Sequence, residues 1–169
     1  MKVLAPEWAA WIGENLASAA PRAEIVDGRL GSQPGGIRLI VVKSRTYMNE
    51  TGAAVAAVLS YYRSAPDRMI VAHDELDIDF GVLRCKFGGG DNGHNGLKSM
   101  RSSLGSGDFY RVRAGIGRPP GRQSPADFVL SNYTAAERKE LPLQVDSAAD
   151  AVESLVTDGL ELTQQRFNR

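Results

Sequence analysis

A single cysteine, Cys85, excludes an internal disulfide, and its place in an apolar run marks a buried thiol of the kind a reduced cytoplasm preserves. Two lone histidines, His73 and His94, do not make a metal cluster, and neither a metal nor a cofactor is expected. No apolar stretch approaches the length of a membrane span. Met1–Ala20 carries acids and two tryptophans where a signal peptide would have its apolar core, so the expectation is a cytoplasmic protein without membrane contact. Repeats, low-complexity tracts and domain linkers are also missing. The 169 residues therefore read as one domain, residues 1–169, large enough to bury roughly 70% of the surface exposed by the unfolded chain. Apolar and charged fractions are ordinary, which excludes disordered and fibrous classes.

Several catalytic signatures are absent too. Leu97 interrupts "GLKS", so there is no P-loop, and no Gly-x-Ser-x-Gly nucleophile elbow occurs. "DELDIDFG" lacks the ligand spacing of an EF-hand. Cys85 sits mid-strand with no histidine at a suggestive spacing, which argues against a cysteine nucleophile.

The formal net charge is zero, but it is unevenly spread. Residues 84–122 carry a balance of +6, residues 123–169 one of −4, and residues 1–83 one of −2. A basic band of this kind can collect a polyanion by its local field, even on a neutral protein; a solvated surface without a partner is the plainer alternative.

The pattern of elements is α/β. "EWAAWIGENLASA", after Pro6, spaces Trp8, Ile12 and Leu16 for an amphipathic helix. "AEIVDG" reads as a short strand. "IRLIVV" (37–42) and "RMIVAH" (68–73) read as strands covered on both faces, and the helical "NETGAAVAAVLSYYR" between them predicts a βαβ unit with parallel neighbours. Two further strands are predicted at 82–87 and 110–117. A loop at "RPPGRQSP" and helices follow, with a possible break at Pro142. The expected fold is a single domain with a mixed, partly parallel sheet flanked by helices on both faces.

Ligands of open α/β sheets bind beyond the carboxyl ends of the parallel strands. Asn49 follows one such strand and Asp74 ends another, while the loop "FGGGDNGHNG" leads into a helix starting near Asn95. These three segments are expected to converge on one pocket. Each residue also has a plainer reading: Asn49 and Asn95 as helix N-caps, Asp74 as a turn residue, His73 as a packed histidine, His94 as a loop histidine bonded to backbone. Five glycines between 88 and 96 exceed what one turn needs, and predict close approach of backbone to a ligand. Carboxamides, a carboxylate and a histidine beside a basic band suit hydrolysis of an ester on a polyanionic substrate: amides donate to an oxyanion, a carboxylate orients an imidazole, and cations hold phosphates.

"TYMNETG" (46–52), "VAHDELDIDFG" (71–81), "KFGGGDNGHNGLKSM" (86–100) and "YRVRAGIGRP" (110–119) resemble, in order and spacing, the bacterial-type peptidyl-tRNA hydrolases; "FVL" (128–130) and "DGLELTQQRFN" also fit. The resemblance implies a monomeric, metal-free cytoplasmic hydrolase that cleaves the ester between peptide and tRNA in peptidyl-tRNA. It implies that Tyr47 and Asn49 belong to the substrate-binding segment. Asp74 would orient the catalytic imidazole. Asn95 would position the peptide or the attacking water, with His94 beside it, and Lys86 and Arg113 would clamp the tRNA 5′-phosphate. Family members open with a strand and a loop reading like "GLGNPG…Y…TRHN.G", which carries the catalytic histidine. No histidine precedes His73 here, and no "GNPG" occurs. Three accounts follow as expectations. A start placed too far downstream is the favoured one; the others are a true truncation leaving an inert tRNA-binding relative, and an enzyme using His94 as substitute base.

Overall fold

The computed structural model describes residues 23–31 and 35–169, which group into two compact units. The helix expected after Pro6 lies outside the described residues. No described helix is long and apolar enough to cross a membrane.

One unit comprises the described residues up to Met69 together with Gly88–Phe109. Its hairpin pairs β1 (Ala23–Leu30) with β2 (Ile37–Ser44) antiparallel, in register from Ala23↔Ser44 to Leu30↔Ile37. A 3-10 turn (Met48–Glu50) then leads into α1 (Thr51–Tyr61), and the Gly-rich loop leads into α2 (Asn95–Leu104). Ala23, Ile25 and Val58 form a small core, with Ile40, Val42 and Tyr62 packed on it. The helices cross closely at Gly52. Its N–H donates to Ser99 Oγ at 3.0 Å, and a Cβ there would lie 2.1 Å from the Ser99 carbonyl oxygen. Only glycine permits that approach.

The other unit comprises Ile70–Phe87 and Tyr110–Arg169. Its three-stranded sheet has the order β3-β5-β4 (Ile70–Glu75, Tyr110–Gly115, Leu83–Phe87). β3 runs parallel to β5 and β4 antiparallel to it, which makes the sheet mixed. The helices α3 (Pro125–Leu130), α4 (Ala135–Thr157) and α5 (Leu160–Phe167) follow. α4 starts with a capping box: Thr134 Oγ1 accepts from Glu137 N, and the Glu137 carboxylate accepts from Thr134 N. Buried Val145, Ala148, Ala151 and Leu155 lie on one of its faces, and Gln144 Nε2 donates to Gly115 O at 2.8 Å. At the chain's end Asn168 acts as a peptide mimic on β4: its Oδ1 accepts from Cys85 N (2.6 Å) and its Nδ2 donates to Cys85 O (3.0 Å). Gln164 donates to the same carbonyl.

Three expectations need correction. The strands at Ile37–Ser44 and Ile70–Glu75 are not ladder partners: the first pairs with β1 and the second with β5. No residue of β2 is fully buried, so its unbroken apolar run does not mark a strand covered on both faces. An apolar run fixes neither partner nor burial, and the hairpin to the preceding strand won the pairing. Pro142 does not break its helix. It is exposed, so water can solvate the carbonyl it leaves without an N–H partner, while the apolar face beyond it holds the helix together.

Candidate functional site

The loop before α2 folds on its own backbone demands. Gly88 (φ 65°), Gly89 (φ 94°), Asn92 (φ 49°) and Gly93 (φ 78°) are left-handed. Asp91 ties the loop together, its carboxylate accepting from Gly93 N at 3.2 Å and from Arg101 at 2.9 Å. The Gly93 N–H, and after it Arg101, hold this carboxyl below the usual aspartate value against the opposing effect of burial. Gly96 is a packing glycine: a Cβ would meet Met48 Sδ at 2.6 Å and the His94 ring at 3.0 Å. Gly90 alone among the five needs neither a left-handed backbone nor the space, since nothing lies within 4 Å of a Cβ built on it. The glycine richness thus has mainly a conformational cause, and Gly90 is the one left to the expectation of close ligand approach.

Neither asparagine is a helix N-cap. His94 caps α2, its Nδ1 accepting from Gly96 N (3.1 Å) and Leu97 N (3.3 Å), and Asn95 is the first helical residue. Asn49 lies in the middle of the 3-10 turn, and the cap position of α1 falls on Glu50. The plain cap reading of both residues is therefore overturned. The structure brings the two together: Asn49 and Asn95 line one groove of about 620 Å³ with Glu50, Lys98, Ser99 and Ser103. Among the described residues neither carboxamide makes a side-chain hydrogen bond, so both keep their hydrogen-bonding capacity. Tyr47, two residues before Asn49, is 81% exposed. Sequence reasoning missed Lys98 and Ser99. They follow Asn95 by three and four residues, the spacing that puts side chains on one helical face.

The remaining predicted residues belong to the other unit. Asp74 lies opposite Ala114 near the carboxyl end of β3 and is half-buried. The raised hydroxyl of Tyr133, pushed up to about 12 by burial and then by the charges of Asp74 and Glu137, reports the carboxylate's field. His73 is buried, with Nδ1 2.7 Å from the Asp74 carbonyl oxygen. The face opposite Asp74 carries His73 together with the cations, as the alternation of a strand requires. Lys86 faces Arg111, Arg84 faces Arg113, and Lys86 and Arg113 are diagonal neighbours. Glu75, which sequence reasoning also missed, is the buried acid there and accepts from Arg113 Nε at 3.1 Å. Desolvation first, then Arg113 and Arg111, hold the Lys86 amine below the usual lysine value, with Glu75 acting the other way. Among the described residues, no three His, Cys, Asp or Glu side chains gather as metal ligands would.

A carboxamide groove in one unit and a cation-bearing sheet face in the other can handle, respectively, an acyl group and a phosphate. The family model for peptidyl-tRNA hydrolase matches residues 5–169. The peptidyl-tRNA hydrolase of Frankia alni is 53% identical over 156 residues, covering 92% of this chain and 77% of that protein. That of Cutibacterium acnes is 54% identical over 163 residues, covering 92% and 82%. A crystal structure of peptidyl-tRNA hydrolase from Acinetobacter baumannii superposes with a TM-score of 0.83 at 29% identity, covering 96% of this chain and 81% of that one. This chain belongs to the peptidyl-tRNA hydrolase family.

Proposed function

We propose that this protein binds peptidyl-tRNA and hydrolyses the ester joining the peptide to the 3′ ribose. Water adds to the ester carbonyl and the bond from that carbon to the ribose oxygen breaks. The water's proton passes to a base and the ribose oxygen leaves protonated, giving a peptide carboxylate and a free tRNA. In this reading Asn49 and Asn95 donate amide hydrogens to the acyl oxygen and the peptide backbone, which stabilises the charge that develops there. Asp74 is the carboxylate that, as the family resemblance implies, holds the proton-accepting group in place. Tyr47 contributes to the substrate side of the groove, Lys86 and Arg113 hold a tRNA phosphate, and the protein works as a monomer in the cytoplasm.

The observation carrying this reading is the pair of carboxamides, free of helix capping and facing one groove. Release of tRNA from an N-blocked peptidyl-tRNA tests it, with deacylated product separated on acid gels. Turnover should fall by roughly 100-fold or more in Asp74→Ala, the scale of lost general-base assistance. Turnover that survives Asp74→Ala, Asn49→Ala and Asn95→Ala alike would overturn the assignment.

A further inference from the structure

We propose that His94 is a positioning residue for Asn95 and does not serve as a base: its ring, used as a helix cap, fixes where the carboxamide points. The inference rests on the reading of Asn95 as a substrate-binding residue.

An imidazole is an unusual cap, because serine, threonine, aspartate and asparagine ordinarily fill that place. Here His94 has extended backbone (φ −75°, ψ 113°), and Nδ1 accepts from both Gly96 and Leu97 N–H. A nitrogen accepting hydrogen bonds carries no proton, so the neutral ring holds its proton on Nε2. The lone pair that a base would use is thereby committed to the backbone on either side of Asn95.

The surroundings keep the ring in that attitude. His94 N donates to Asp91 O at 2.8 Å, and Lys98 N donates to His94 O at 3.0 Å. Asp91 is in turn held by Arg101. Gly96 lacks the Cβ that would lie 3.0 Å from His94 Cε1 and 2.6 Å from Met48 Sδ, so ring and thioether both close on it. Met48 immediately precedes Asn49, and Asn95 sits between His94 and Gly96. One packing point thus anchors both carboxamides. Removing the ring should free Asn95 without touching the residues that hold phosphate.

A peptidyl-tRNA with an amide in place of the 3′ ester allows affinity to be measured without turnover. His94→Ala should weaken binding roughly 5- to 30-fold, and His94→Asn, which retains a cap acceptor, should stay within about threefold of the parent. In an Asn95→Ala background His94→Ala should add nothing, because a residue acting only through Asn95 has nothing left to position. Nitrogen NMR of the folded protein at neutral pH should show the proton on Nε2. Binding by His94→Asn as weak as by His94→Ala, additive losses in the double variant, or a protonated Nδ1 would each overturn the proposal. Affinity unchanged by Asn95→Ala removes the reading of Asn95 and this inference with it. A loss in Asn95→Ala with none in His94→Ala sinks this inference alone. Should the alanine variant fold poorly, His94→Asn and the tautomer still decide.

Discussion

Replacing Gly52 by alanine tests the helix crossing that builds the groove. Gly52 is the second residue of α1, where by local preference alanine should be better than glycine by up to about 1 kcal/mol. The crossing reverses that sign. A Cβ at Gly52 would lie 2.1 Å from Ser99 O, 2.5 Å from Ser99 C and 2.6 Å from Ser103 Oγ, and the first two are backbone atoms that no side-chain rotation can move. Restoring ordinary contact distances requires the helices to part by about 1 Å or more. Overpacking of this kind costs about 1–3 kcal/mol. Loss of the 3.0 Å bond from Gly52 N to Ser99 Oγ costs about 1 kcal/mol more. Set against the gain in propensity, the net is a destabilisation of about 2 kcal/mol. For a chain of this size that lowers the melting temperature by about 4–8 °C, readable by circular dichroism and checked by urea unfolding. Because Asn49 and Asn95 stand on the two segments forced apart, affinity for peptidyl-tRNA should fall as well. A variant as stable as the parent or more so, with binding intact, would refute the reasoning.

Four further expectations follow from the same contacts. Lys86 has a lowered folded-state pKa, so its charged form costs stability at neutral pH, and that cost fades only as pH rises through the lowered value. Lys86→Met should therefore raise the melting temperature at pH 7 while weakening tRNA binding, and flatten the salt dependence by about one phosphate contact. The Cys85 thiol, pushed up to about 11 by burial, should resist iodoacetamide at pH 8 in the folded protein and react once urea unfolds it. Asn168→Ala takes the acceptor from Cys85 N–H, while Gln164 keeps its bond to Cys85 C=O, and should cost about 1–3 kcal/mol in urea unfolding. Gly90→Ala should leave stability unchanged or raise it by up to about 1 kcal/mol. A loss of peptidyl-tRNA affinity in the same variant would locate the close approach of backbone to ligand.

The sequence made the elements legible where a local signal specified them. The helix from Thr51, the strands at Leu83–Phe87 and Tyr110–Gly115 and the C-terminal helices follow from period and propensity, and they stand where expected. Strand partners were not legible. The run at Ile37–Val42 is apolar enough for an inner strand, yet its hydrogen bonds go to the preceding strand Ala23–Leu30, a choice that composition does not encode. Pro142 misled because propensity is a local cost, and burial of Val145, Ala148 and Ala151 exceeds it. At the site the residue types were readable and their local roles were not. "GHNG" announces a helix start, but only coordinates show that the histidine and not the asparagine accepts the first N–H groups. Glycine counts likewise merged two causes, left-handed backbone at Gly88, Gly89 and Gly93 and packing at Gly96, with a glycine that needs neither at Gly90.

In the proposed function recognition divides in two, with Asn49 and Asn95 reading the acyl end and Lys86 and Arg113 reading phosphate. Affinities of the amide-linked peptidyl-tRNA and of deacylated tRNA, compared across Asn49→Ala, Asn95→Ala, Lys86→Ala and Arg113→Ala, test that division most directly. Asparagine variants should bind both RNAs equally, having lost only the preference for the peptidyl form, and the cation variants should bind both more weakly while keeping it. Asparagine variants that still prefer peptidyl-tRNA as strongly as the parent would contradict the account.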